Sequence, residues 1–206
     1  MIEQYVNFRM VQSDLNCISE SFKEQPAMAS RVLLIKSSLT CLTNLLDNES
    51  KIRLVYKESR MLSNKFSEIK KGLQFCKYLR NIFAAHIDKD LLSLALQWKP
   101  ELKVMLAEFG SEAEGYLISV FVLETAINSY SDENGHRFFS SEIDLVSDNY
   151  QFSNFLMELI DSSLDYLESL VIFLRDLSEV GKFQDLTMEC FTEAAEVEFK
   201  IIKKGR

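Results

Sequence analysis

The sequence predicts an all-α fold, a helical bundle built on long helices. Chain breakers are scarce, with 6 Gly and 2 Pro in 206 residues, which disfavours sandwiches and propellers. Apolar residues also recur at spacings of three and four through most of the chain, the period of an amphipathic helix. Capping patterns mark several of the expected helix starts. A chain of this length buries a sizeable core, and no linker divides it, so residues 1–206 are read as a single all-helical domain.

The first helix is expected over residues 1–24, from Ile2, Tyr5, Phe8, Val11, Leu15, Ile18 and Phe22 on one face, with Pro26 ending it. A second apolar helix covers residues 29–46. Asp47, Asn48, Glu49 and Ser50 then form a polar break with N-cap chemistry. Residues 51–87 hold one long helix, or two with a break near Gly72. A short helix follows Asp88, and Pro100 starts another that ends at Phe109-Gly110, where the glycine suits a C-cap. Ser111 and Glu114 make a capping box for residues 112–130. The segment 131–149 is irregular, with a turn at Asn134-Gly135 and room for at most a small irregular or hairpin insertion. Residues 151–178 are strongly periodic. Gly181 punctuates, and a last helix covers about 184–202, so acidic helices fill residues 112–204.

Composition excludes several function classes. The apolar stretch from Tyr116 to Leu123 is far shorter than the ~20 residues a membrane span needs, and no signal-peptide pattern opens the sequence. Cys17, Cys41, Cys76 and Cys190 are widely spaced and read as reduced thiols of a cytoplasmic protein. With no CxxC, GxGxxG, P-loop, GxSxG or HExxH, no metal site and no cofactor is expected. Charge is uneven. Residues 51–80 carry nine bases and two acids, a net of +7, whereas residues 105–199 carry three bases and twenty acids, a net of −17. That split reads either as a basic anion-binding strip, with Lys70 and Lys77 as substrate-binding candidates, or as a basic helix packed on acidic neighbours.

The informative segment is Tyr78 to Asp88, YLRNIFAAHID. At about 100° per residue, Phe66, Ile69, Leu73, Cys76, Phe83 and Ile87 share one arc with Arg80. Phe75, Leu79, Ile82 and His86 share a second arc. The helix therefore expects burial on two sides, with one polar side chain in each stripe. An arginine in an apolar stripe needs a partner, because an unpaired buried charge is costly. Glu124 lies in a similar stripe with Leu117, Val120 and Ile127. A buried Arg80–Glu124 pair is the expected match, supporting either catalysis or helix register. Asp88 reads as a helix cap or as an orienter of the His86 imidazole. His136 reads as an exposed loop histidine and Trp98 as a packing anchor.

The string Arg80-Asn81-Ile82-Phe83-Ala84-Ala85-His86-Ile87-Asp88 resembles the signature of the HEPN superfamily, an arginine followed four to six residues later by a histidine. It is most similar to the abortive-infection branch, with Ile82 where that branch often has a lysine. The resemblance implies a helical bundle that dimerises and brings two motifs into one cleft. It also implies a metal-independent endoribonuclease of toxin or defence type that leaves a 2′,3′-cyclic phosphate. His86 would then move protons near neutral pH, Arg80 would clamp the phosphate, and Asn81 would orient either one. The implied partners are a second copy, RNA, and an antitoxin or other protein, with no membrane. The alternative is a non-catalytic helical module for protein interaction or dimerisation.

Overall fold

The computed structural model describes residues 1–105, 112–147, 150–178 and 188–197. Helix α1 spans Ile2–Lys23 and α2 spans Met28–Glu49. Gln25 turns the chain between them with φ 51°, a left-handed conformation just before Pro26. A 3₁₀ turn, Ser50–Ile52, and the four-residue α3, Val55–Glu58, lead to α4, Arg60–Leu79. A π-helical turn over Arg80–Ala84 extends α4, and α5 covers Lys89–Trp98. Then come α6, Glu101–Met105; α7, Glu112–Asn128; α8, Tyr150–Leu177; and α9, Met188–Ala195. No strand occurs among the described residues, so the fold is all-α.

Four long helices form a closed ring of neighbours, α1 against α2, α2 against α4, α4 against α8, and α8 against α1. Their inner faces are the apolar stripes of the sequence. Phe8 and Leu15, Leu39 and Leu42, Phe66 and Leu73, and Leu156 and Leu167 are all buried in one continuous core. Full burial of such a side chain contributes about 1.5–3 kcal/mol, which is why the stripes, more than intrinsic propensity, fix the helices. Helix α7 packs on α2 and on α5. Among the described residues, no helix is long and apolar enough to cross a membrane.

Several boundaries differ from the sequence reading. The expected polar break at Asp47–Ser50 is not a break, since Asp47, Asn48 and Glu49 continue α2. The interruption falls at Ser59, which is extended and whose hydroxyl accepts the Leu62 N–H. Gly72 breaks nothing. It is buried inside α4, where a Cβ would sit 2.9 Å from Leu159 Cδ1 of α8. Its role is close approach of two helices, which a breaker reading misses. The expected C-cap at Phe109-Gly110, Ser111 of the capping box and Gly181 lie outside the described residues, as do the first and last residues of the helix expected over 184–202.

The irregular segment after α7 forms no hairpin among its described residues, 131–147. Asp132 organises a turn, accepting the N–H groups of Asn134 and His136 at 2.9 Å, with Gly135 at φ 79°. Phe138 then stacks on Phe75 of α4 at 4.1 Å between ring centroids and 7° between planes. Tyr130, Phe139 and Phe155 pack edge-on against the same Phe75. The loop is thus anchored by rings rather than by strand pairing.

Candidate functional site

The site grows from the end of α4. Both apolar arcs of this helix are consumed within the chain, one against α2 and the other against α8, while the π turn touches α2 and α7. The arc residues Phe66, Ile69, Leu73, Phe75, Cys76 and Leu79 are all buried within the chain. In the π turn, the Ala85 N–H donates to Arg80 O at 2.8 Å, and the Asp88 N–H closes the end on Ile82 O at 3.0 Å. Phe83 anchors the turn, buried, with Lys36 Nζ of α2 4.8 Å from its ring centroid. Single π turns inside helices are frequent at functional sites.

The helix ends with the π turn at Ala84, and the wheel holds as far as Phe83, which is buried as expected. Ile87, expected in the buried arc, is 46% exposed. His86, expected in the second apolar arc, is exposed. Both corrections have one cause. The wheel assumes a helix through Ile87 at a constant ~100° per residue, whereas the helix closes in a π turn at Ala84 and both residues lie in the link to α5.

Arg80 is half-buried, its side chain 28% exposed. Its Nη2 lies 3.6 Å from Asp47 Oδ2, and its Nη1 donates to Asn81 Oδ1 at 2.9 Å. Its Nε is buried with no acceptor. Lys77 Nζ reaches the other Asp47 oxygen at 2.5 Å. Asp47 thus gathers two cations of the basic strip, while Lys65 pairs with Asp165 and Arg53 with Glu49. Lys70 stays exposed, two turns before Lys77 on the same helix. Asn81 serves Arg80. Asp88 caps α5, its Oδ1 accepting the N–H groups of Asp90 at 2.8 Å and Leu91 at 3.3 Å.

The expected Arg80–Glu124 pair does not form. Glu124 is buried as expected, but its partner is Lys99, Nζ to Oε1 2.6 Å. Its Oε2 accepts the Leu145 N–H at 2.8 Å. The hydrogen bond to Glu124 holds the Lys99 ammonium above the ordinary lysine range. The cation arrives from the junction between α5 and α6, which packs on α7, whereas Arg80 faces α2. Trp98, next to Lys99, is 49% exposed. It is therefore not a packing anchor; it forms one wall of a polar recess with Lys99, Glu124 and Asn128. His136 is exposed, its Nδ1 3.5 Å from Asp132.

Asp47 is the residue that sequence reasoning missed. Its signal was available, since it follows Leu45-Leu46 directly at the end of an apolar helix. No group of three or more His, Cys, Asp and Glu side chains with metal-binding geometry occurs among the described residues. The elements thus bring Arg80, Asn81, Lys77 and Asp47 together, with His86 presented to solvent a turn further on and Glu124 elsewhere. No family model matches the chain, and no curated protein or solved structure matches it.

Proposed function

We propose that residues 80–88 form an RNA-cleaving site of the HEPN type, in which Arg80 holds the scissile phosphate and His86 moves the proton. The observation that carries this reading is the π turn. It fixes a half-buried guanidinium against Asp47 and Asn81 and leaves an imidazole free in solvent just beyond it. The ribose 2′-oxygen attacks phosphorus and gives up its proton to a base. The bond from phosphorus to the 5′-oxygen breaks, and that oxygen takes a proton from an acid. A group that titrates near neutrality serves either step, and arginine's fork suits the developing charge. Two chains would supply one histidine for each step. Lys70 and Lys77 would carry the adjoining phosphates.

A second reading has its own support. Asp47 already pairs with both Arg80 and Lys77, which suits a site kept for folding or for holding a protein partner such as an antitoxin. Single-stranded RNA incubated with the chain in EDTA separates the two. The nuclease reading expects cyclic-phosphate ends and a loss of roughly 10²–10⁴-fold in rate for His86→Ala. That variant removes an exposed side chain, so its fold should hold within about 0.5 kcal/mol. Unchanged cleavage by His86→Ala sinks the mechanism. A folded dimer inactive on diverse RNAs moves the assignment to the interaction module.

A further inference from the structure

Far from residues 80–88 in the chain, the end of α1, the start of α2 and the start of α8 enclose a cavity of about 260 Å³. Its floor is apolar and firmly built, with Phe152 1% and Leu156 2% exposed. Phe22, Ile35 and Met157 form the walls. A smaller recess of about 40 Å³ continues inward past Val120 and Leu123, sharing Ile35 and Phe152 with the first. The mouth is different in kind. It carries two bases, Lys23 and Arg31, and no carboxylate among the described residues lines it. Among the described residues, neither basic side chain has an ion pair or hydrogen bond. In a chain of net charge −8, two uncommitted cations over an apolar floor favour an anion at this mouth.

We propose that this cavity binds a small amphipathic carboxylate, a medium-chain acyl anion. Its chain lies on Phe152 and Leu156, and its carboxylate sits at Lys23 and Arg31. Pockets for drug-sized ligands run to about 300–1,000 Å³, so this one suits a single short chain. An apolar lining with a few charged groups at one end is the usual division between affinity and orientation. The exposed Ser153 lies on the rim between the two compartments, where a bulky side chain would block entry without disturbing the core.

The test is an amide-resolved NMR titration of the full chain with three probes of equal length: octanoate, octan-1-ol and octylammonium. Octanoate should give saturable shifts at Ile35, Phe152 and Leu156. Octan-1-ol should bind roughly tenfold more weakly, and octylammonium not at all. Two exposed charge contacts are involved, so the double reversal Lys23→Glu with Arg31→Glu should weaken octanoate by roughly tenfold and admit octylammonium. Ser153→Trp should abolish octanoate shifts at unchanged melting temperature. The proposal is overturned by absence of saturation, by equal binding of octanoate and octan-1-ol, or by octanoate affinity unchanged in the double reversal. It is also overturned if the same amides shift with protein concentration alone, which would give the cavity to a second copy.

Discussion

The pair between Lys99 and Glu124 ties the far end of α5 to α7, and Lys99→Met isolates it. Methionine keeps most of the stem and removes the charge. Glu124 is only 4% exposed at its side chain and Lys99 24%, so the carboxylate is left inside with the Leu145 N–H as its remaining donor. Breaking a buried pair from one side costs about 3–5 kcal/mol. Because Lys99 keeps contact with water and Oε2 keeps its bond, the lower end applies, about 3 kcal/mol. For 206 residues that is a fall of about 6–12 °C in Tm. Glu124→Gln should cost only about 1 kcal/mol, since an amide oxygen still accepts the Leu145 N–H and the ammonium can turn to solvent. The double variant should cost about 2 kcal/mol, leaving a coupling of about 2 kcal/mol in a denaturation cycle. The hydrogen bond raises the Lys99 pKa above its ordinary value. Its stabilisation is therefore complete below about pH 10.4 and is lost as pH rises through the higher folded value. The gap between wild type and Lys99→Met should close there. A Lys99→Met cost below about 1 kcal/mol, or strict additivity, would refute the buried-pair account.

Three further outcomes are expected. Asp88→Ala removes the two hydrogen bonds that start α5 and should cost about 1 kcal/mol in urea denaturation; a neutral result would return Asp88 to the role of imidazole orienter. Gly72→Ala gains about 1 kcal/mol of helix propensity, but its Cβ meets Leu159 Cδ1 at 2.9 Å. Since that atom ends a flexible side chain, Gly72→Ala should be nearly neutral, whereas Gly72→Val should lose about 1–3 kcal/mol by overpacking, as thermal melts would read. Burial pushes the Tyr56 hydroxyl up to about 12, and its bond to the Tyr166 hydroxyl is 2.8 Å. The fold should therefore lose stability between about pH 10 and 12, as the unfolded tyrosine ionises first, a loss visible as tyrosinate absorbance that coincides with unfolding.

How far the sequence reaches depends on whether a feature is local. The stripes of α1 and α8 are periodic over five or more turns, and the structure buries Phe8, Leu15, Phe152 and Leu167 as that period requires. The turn at Asn134-Gly135 is written in residue types that tolerate its geometry. Glu124 in an apolar stripe announces a buried acid from three neighbours alone. Its partner is another matter, because a wheel assigns a face and not the element opposite. Lys99 and Arg80 both satisfy the demand for a cation, and only the packing of α5 on α7 selects Lys99. Gly72 shows the converse, since a residue without a side chain reads as a weak point until α8 is laid across it.

The same reasoning explains why the candidate site departs from its wheel and why the departure bears on function. A helix end in a π turn is invisible to a fixed period, and His86 falls beyond it, exposed in the link to α5 where the period demanded burial. It also leaves Arg80 with donors to spare. An arginine carries five N–H donors, and Arg80 commits Nη1 to Asn81 while standing 3.6 Å from Asp47, beyond good hydrogen-bond distance. Asp47 thus holds the guanidinium by charge more than by directed bonds. A phosphate arriving from the solvent side would compete with one carboxylate that Lys77 already shares. The buried Nε with no acceptor is a cost of about 1–3 kcal/mol. An unsatisfied guanidinium donor and a π turn coincide at Arg80, and since single π turns are frequent at functional sites, their coincidence is the physical reason to look for chemistry there.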